Sequence, residues 1–381
     1  MTCQEPETAL YLLKEEFCLM NTLTVELGER SYPIVLGDMR ECAAMLAEKL
    51  SGRSALIVTD ENVEQAGHLE RLQQALAEND FTDFHALILP PGEEHKNLVT
   101  VEQIARTAVS AGLNRRSVMV ALSGGVVGDM TGFASAVYMR GIEFIQLPTT
   151  LLAAVDSSVG GKTGADLPEG KNLIGAFHQP QLVALDMAVL ATLPECEWRN
   201  GLAEVVKYGM IMDEKFLSLL EKNTGKLNSF DPDFYCGIIR RCCECKAEVV
   251  AGDECEKGRR AILNYGHTVG HAVEKLSNFT LPHGQAVAIG MAAAARLAVK
   301  MNMLNAAVEE RQNQLLKALK LPTLLPQASN INSIIQTMHS DKKNSNNSIT
   351  MVLPTAAGAV EVVRNIDEKL LAAALEELLQ P

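Results

Sequence analysis

The sequence predicts an α/β protein in two parts: a Rossmann-like N-terminal domain on a parallel sheet, then an all-helical C-terminal domain. Three observations carry this. Between about residues 32 and 190, short continuous apolar runs alternate with helical segments, the pattern of strands covered on both faces. Beyond about residue 190, long helical patterns follow one another, jointed at Pro194, Pro232, Pro282 and Pro322. At 381 residues, the chain also exceeds one comfortable core. The expected boundaries are an N-terminal extension over 1–20, an α/β domain over 21–190 and a helical domain over 191–381.

Taken in order, Leu23 to Leu27 alternates and reads as a first strand. Ala55 to Thr59 is a compact apolar run ending in Asp60, with a helix through about Glu78. Ala86 to Leu89 is the next strand, broken by Pro90, Pro91 and Gly92, and a helix covers roughly Leu98 to Ala111. Ser117 to Leu122 is a third buried strand, a helix then runs to about Tyr138, and Phe144 to Leu147 is a further strand. Helices are expected at about 195–212, 214–222, 231–251, 265–276, 284–303, 307–319 and from about 366. A short hairpin is expected between Ile349–Leu353 and Ala359–Val363.

The charge balance of 34 basic against 47 acidic residues, net −13, argues against a nucleic-acid surface but leaves room for a local basic pocket. No apolar run is long enough to span a bilayer and no secretory signal pattern opens the chain, so the expectation is a cytoplasmic protein without a membrane partner. Nine cysteines at irregular spacing do not form a disulfide framework; Cys242 and Cys245 lie one helical turn apart, without a second pair, and read as reduced, partly buried thiols.

The densest chemistry lies at residues 264–284. Three of the eight histidines, His267, His271 and His283, fall within seventeen residues. His267 and His271 are four apart, which puts both imidazoles on one helix face. That spacing admits a metal site, or two hydrogen-bonded helix histidines with an unrelated third. Glu204, set among Leu202, Ala203 and Val205, is costly to bury unless paired or metal-bound, and two histidines with one glutamate is a catalytic zinc pattern.

In the first half, Gly124 to Asp129 joins a strand to a helix and reads either as a phosphate cradle or as a plain tight turn. Pro91 to Lys96 follows a strand, where ligands bind in such sheets. Leu147 to Gly164 packs hydroxyls, Asp156, a glycine pair and Lys162 into one stretch, and Lys171 and Asn172 follow, which suits a small anion. Upstream of His267, Arg260 suits a carboxylate, and Arg260 and Asn264 share a face if the helix begins early enough. Asp341, Lys342 and Lys343, taken alone, read as a solvated cluster.

Together these residues resemble the 3-dehydroquinate synthase family, within the sugar phosphate cyclases, over essentially all of residues 21–380. The resemblance rests on PGEEHK at 91–96, GGVVGD at 124–129, PTTLLAAVDSSVGGKTG at 148–164, GKNLIGAFHQP at 170–180, GLAEVVKYG at 201–209, LNYGHTVGHAVE at 263–274, HGQAVAIGM at 283–291 and DKK at 341–343. It implies a dehydroquinate synthase-like fold, NAD on the α/β domain, one zinc or cobalt ion on the helical domain, and a homodimer. The implied metal ligands are Glu204, His267 and His283. The implied NAD contacts are Asp60, Asn62, Pro91, Gly92, Glu93, Glu94, His95, Lys96, Gly125, Val126, Val127, Gly128, Asp129, Thr149, Thr150, Lys162, Lys171 and the turn Val189, Leu190, Ala191 and Thr192. The implied substrate and catalytic set is His271, Lys162, Asp156, Lys207, Asn264 and Arg260, with Asn172, Lys246, Glu256, Lys342 and Lys343. Arg140 would reach the phosphate across a dimer interface.

The implied substrate is the sugar phosphate 3-deoxy-D-arabino-heptulosonate 7-phosphate. The reaction is the second step of the shikimate pathway: oxidation by NAD, phosphate elimination, reduction, ring opening and aldol closure. Three positions depart from the family pattern. Ser123 stands for a glycine, Asn346 and Asn347 for a glycine-containing turn, and Gln285 for a glutamate, so that a carboxylate expected behind His283 is missing. Rival readings are a cyclase acting on another sugar phosphate, a metal-dependent polyol dehydrogenase and a non-catalytic phosphate-binding module. The anion-binding lysines argue against the second, and the intact ligand set with His271 against the third.

Overall fold

A computed structural model describes residues 22–327, 329–339 and 348–379. The expectations for residues 1–20, for Asp341, Lys342 and Lys343, and for Asn346 and Asn347 lie outside the described residues. The chain divides into two compact units: the first takes in the chain through Leu193 together with Pro232–Ala251, the second Pro194–Asp231 and the chain from Gly252 onward.

The first unit is built on a seven-stranded sheet. Its strands are β1 (Thr22–Val25), β2 (Tyr32–Gly37), β3 (Ala55–Asp60), β4 (Phe84–Leu89), β5 (Val118–Ser123), β6 (Glu143–Pro148) and, after the antiparallel hairpin β7 (Lys162–Leu167) and β8 (Gly170–Phe177), β9 (Val183–Asp186). The spatial order is β1-β2-β9-β6-β5-β3-β4, with every pair parallel except β1 with β2. Alternate residues of one strand serve opposite layers. Ala55 and Ile57 pack with Leu46, Leu72 and Leu76 of the helices Met39–Leu50 and His68–Glu78, whereas Leu56 and Val58 pack with Val101, Ile104 and Met130 of the helices Leu98–Ser110 and Gly125–Val137. A strand buried on both sides must be apolar throughout, hence the unbroken runs in the sequence.

Short polar side chains start the helix Met39–Leu50 and the short helix Glu61–Gln65, whereas His68–Glu78 and Gly125–Val137 begin at glycines without a side-chain cap. Asp38 and Glu41 form a reciprocal capping box, and Asp60 accepts from the amides of Asn62 and Val63 at 3.0 and 3.2 Å. The strand-to-helix joints therefore fall at the carboxyl ends of the parallel strands, where ligands bind in sheets of this kind.

The second unit is mainly helical: Glu195–Met212, Glu214–Lys222, His267–Leu276, His283–Lys300, Ala306–Ala318, Ile331–His339 and Glu368–Glu376, with the hairpin β10 (Met351–Ala356) and β11 (Ala359–Val363). The helix Pro232–Gly252, expected with the helical half, contacts the first unit instead: Cys243 Sγ lies 3.3 Å from the Ala154 carbonyl oxygen. No described helix is long and apolar enough to cross a membrane.

Candidate active site

In the first unit, the expected cofactor residues cluster at one edge of the sheet. Asp60 and Asn62 follow β3, Pro91 to Lys96 follow β4, Gly125 to Asp129 follow β5, Thr149 and Thr150 follow β6, and the turn Met187–Thr192 follows β9. The helix Gly125–Val137 begins at Gly124 with no side-chain cap, leaving the amides of its first turn without a capping oxygen. Ser123 ends β5, lies outside the positive-φ set, and its Oγ donates to the Gly124 carbonyl at 3.0 Å, so the position does not require glycine. Thr149 is buried, and its Oγ1 has no hydrogen-bond partner among the described residues.

Lys96 links this edge to the β7–β8 hairpin. Its Nζ donates to Asp129 Oδ2 at 2.7 Å and to Asn172 Oδ1 at 2.8 Å. Burial opposes the ammonium, but Asp129 and Glu93 outweigh it and raise its pKa above the ordinary lysine value. Asn172 sits at φ +53° and donates its amide to Asp166 Oδ1 at 2.7 Å, while the Asp166 amide donates to the Lys96 carbonyl. Lys171 Nζ lies 3.3 Å from Glu93 Oε1. Lys246, on the Pro232–Gly252 helix, reaches Asp156 Oδ1 at 2.9 Å, and Asp156 lies in a turn of π-helix, Ala153–Ser157. Lys162 is exposed at the start of β7.

Arg140 is not brought to this edge. It follows the helix Gly125–Val137, which runs back toward the amino ends of the strands, and it lies exposed at φ +71°, before β6.

In the second unit, Glu204 and Lys207 stand one turn apart on the fully buried face of the helix Glu195–Met212 and form an ion pair. Nε2 of His267 lies 3.4 Å from Glu204 Oε1, and Nε2 of His283 lies 3.6 Å from the same oxygen. One ligand atom each from Glu204, His267 and His283 falls within 4.8 Å of the others. His267 Nδ1 meets the Tyr265 carbonyl oxygen at 3.0 Å and must carry the hydrogen there, so its Nε2 turns a lone pair toward the carboxylate. Among the described residues, neither Glu204 oxygen receives a well-directed hydrogen bond. A carboxylate oxygen and two imidazole nitrogens facing one another are a donor set that fits zinc or cobalt, with His283 giving up its second hydrogen when an ion binds.

The electrostatics follow the same lines. Burial alone would raise the Glu204 carboxyl, but Lys207 and the imidazoles of His267 and His283 hold it well below the ordinary carboxylate range. Burial lowers His267, whereas Glu204 and Glu274 overcome burial at His283 and raise it to about 9. His271 completes the cluster, its ring centroid 5.2 Å from that of His267 and 5.9 Å from that of His283.

Arg260 and Asn264 do not continue the His267 helix. They lie on a 3-10 segment, Arg259–Asn264, because Gly266 at φ +78° breaks the chain before the helix begins at His267. Asp253 folds that segment by accepting from the amides of Lys257, Gly258 and Arg260 at 2.8, 2.7 and 3.0 Å. Asn264 donates to Glu256 Oε1 at 2.8 Å, and Arg260 is buried.

Sequence reasoning missed two carboxylates. Asp166 bridges Lys96 and Asn172 through the backbone, and nothing in its neighbourhood marks it. Glu274 lies 3.5 Å from His283 Nδ1, so a carboxylate does stand beside that ring despite Gln285. Its position three residues after His271 and seven after His267, on one helix face, was the available signal.

Comparison with known proteins gives a consistent picture. The family model described as 3-dehydroquinate synthase N-terminal matches residues 86–200, and that described as 3-dehydroquinate synthase C-terminal matches residues 201–344. A curated 3-dehydroquinate synthase from Shewanella loihica is 45% identical over 354 residues, covering 92% of this chain and 98% of the relative. Among solved structures, a 2-deoxy-scyllo-inosose synthase complexed with carbaglucose-6-phosphate, NAD+ and Co2+ superposes with a TM-score of 0.85 at 27% identity, covering 94% of this chain and 100% of that one. A 2-epi-5-epi-valiolone synthase from Streptomyces hygroscopicus subsp. jinggangensis 5008, with NAD+ and Zn2+ bound, gives 0.84 at 30% identity, covering 93% and 98%.

Proposed function

The chain belongs to the 3-dehydroquinate synthase family, and from that premise we propose that it converts 3-deoxy-D-arabino-heptulosonate 7-phosphate into 3-dehydroquinate and phosphate, the second step of the shikimate pathway. The observation that carries this reading at the site is the convergence of His267 and His283 on the fully buried Glu204, the three ligand atoms lying within 4.8 Å of one another. These three side chains would hold the divalent ion. The strand ends around Asp60, Asn62, the 91–96 loop, the 125–129 turn, Thr149, Thr150 and the Val189–Thr192 turn would hold NAD. When bound, the ion would polarise and acidify the hydroxyl to be oxidised, and NAD would take up its hydride and return it within the same turnover.

The remaining work falls to the chain's own groups. Lys246, Arg260 and Asn264 suit a substrate bearing a carboxylate, which separates this reaction from cyclisation of simpler sugar phosphates. Lys162, Asn172, Lys207 and Lys342 or Lys343 supply further charge and donors to fix the pose. Asp156 is held in place by Lys246, and Glu256 holds the Asn264 amide. His271, an imidazole working near neutral pH, moves protons. The leaving phosphate takes the proton in the elimination step.

The reading carries a homodimer and a cytoplasmic location with it. The exposed Arg140, remote from the strand carboxyl ends of its own chain, supports the first, since only a second copy would bring it to a substrate. The thiols of Cys42, Cys196, Cys243 and Cys255, none of them in a disulfide, support the second. The test is direct. Protein supplied with NAD and zinc or cobalt should release inorganic phosphate from the heptulosonate phosphate over many turnovers, with no net absorbance from NADH. Absence of phosphate release sinks the proposal, and stoichiometric NADH would assign the site to a dehydrogenase.

A further inference from the structure

His283 is held between two carboxylates. Its Nε2 faces Glu204 Oε1 at 3.6 Å, and its Nδ1 faces Glu274 Oε2 at 3.5 Å. Glu274 is itself only 3% exposed, a costly place for a carboxylate without a cationic or hydrogen-donating neighbour. It rides on the same helix as His267 and His271, seven and three residues after them, so a single rigid element carries all three groups. His267 and His283 are thus anchored differently at the nitrogen turned away from Glu204: His267 by the Tyr265 backbone carbonyl, His283 by a side chain.

An imidazole that gives one nitrogen to a metal must keep its hydrogen on the other, and the group that accepts that hydrogen fixes the tautomer and the ring plane. Position 285 cannot do this for His283. Two residues apart on one helix, the side chains point to different sides, and Gln285 is only half-buried. We propose that Glu274 is the positioning residue for His283: it holds the hydrogen on Nδ1, aims Nε2 into the Glu204 and His267 set, and so governs metal affinity while touching neither ion nor substrate. This inference rests on Glu204, His267 and His283 being the ligands. It also accounts for a glutamine at 285 without loss of the site.

One competing arrangement uses the same atoms. His271, Glu274 and His283 also offer ligand atoms within 4.8 Å of one another, so Glu274 would then be a ligand to a second ion and not a partner to the ring. Stoichiometry separates the two.

The experiment is cobalt and zinc binding by chelator competition, with the cobalt visible spectrum recorded, on the full-length protein and on Glu204→Ala, Glu274→Ala, Glu274→Gln and Gln285→Ala. The expected result is one ion per chain, lost in Glu204→Ala and weakened about 10- to 100-fold in Glu274→Ala. A smaller loss is expected in Glu274→Gln, whose amide oxygen still accepts from Nδ1, and none in Gln285→Ala. The cobalt bands of Glu274→Gln should keep their intensity, because the ligand set is unchanged. Wild-type affinity in both Glu274 variants overturns the proposal, as does a second ion that disappears with Glu274. Retention of the ion in Glu204→Ala instead overturns the ligand assignment beneath it. Should Glu274→Ala fail to fold, as judged by circular dichroism, the Glu274→Gln affinity decides alone.

Discussion

Glu204 is fully buried and meets Lys207, His267 and His283 from three directions, while His271 stands one turn along the helix from His267. These neighbours separate two kinds of loss. Glu204→Ala removes the proposed oxygen ligand and the carboxylate that pairs with the buried ammonium of Lys207. It should abolish stoichiometric metal binding and cost about 3–5 kcal/mol of stability. His271→Ala should keep the ion and the fold yet lose most turnover, about 10²- to 10⁴-fold for a group that transfers protons. Metal analysis beside steady-state kinetics checks both. Equal metal loss in the two variants would overturn the assignment of ligand and proton carrier. At this scale the sequence placed the right imidazoles together but could not divide their roles. Helical spacing puts His271 on the face of His267, whereas the nitrogen that each ring turns inward depends on what meets its other side.

At the scale of elements, the candidate site depends on two helices that begin at the proposed ligands. His267 opens one helix and His283 the other, and their closest approach runs through glycines. A Cβ at Gly290 would sit 1.8 Å from the Gly266 carbonyl oxygen and 2.8 Å from the Gly270 nitrogen, both backbone atoms that no rotamer change can clear. Gly290→Ala should therefore push the helices apart and destabilise the protein by about 3 kcal/mol or more, measured by chemical denaturation. Metal affinity should fall with it, because both ligands ride on the displaced elements. A stability unchanged within about 0.5 kcal/mol would show that the contact relaxes easily.

β2, β9 and the helices Met39–Leu50 and Ile331–His339 were not assigned from the sequence, but β1, β3 to β6 and the other long helices were legible in it. The β7–β8 hairpin was not. Gly164 and Gly175 stand where the two backbones approach most closely: a Cβ on Gly175 would run into the Thr163 carbonyl oxygen. The start of the His267 helix was also misplaced. The apolar pattern runs through Tyr265, and only the left-handed backbone of Gly266 shows that Arg260 and Asn264 belong to a separate 3-10 segment.

Over the whole chain, the two units are not two consecutive lengths of sequence. The helix Pro232–Gly252 contacts the first unit and delivers Lys246 to Asp156, so the chain passes from one unit to the other three times. Periodicity locates such a helix but not the surface that it covers, which is why a single boundary near residue 190 was expected. Arg140 poses the same problem one level up. Within its own unit it lies at the far end of the strands from the expected cofactor residues, and the proposed dimer gives it a role. Arg140→Ala and His271→Ala should each be nearly inactive alone. If Arg140 serves the partner's site, mixing them in equal amounts and allowing subunits to exchange should restore about a quarter of wild-type turnover, because half the dimers would then hold one site with both residues intact. No recovery after verified exchange would place Arg140 in its own chain's site, or in none.

The buried ion pair of Lys207 with Glu204 has a consequence for how such a protein is made. Small zinc domains collapse only when their ion arrives, because nothing else offsets the charges that they gather. Here an ammonium already resident on the same helix offsets the glutamate, so the newly synthesised chain can reach its native form before it has met any ion. Loading is then a late and reversible event, adding only the stabilisation that mass action confers on a ligand of the folded state. A denaturation curve recorded with and without chelator should therefore show a folded metal-free protein, stabilised further when zinc or cobalt is added.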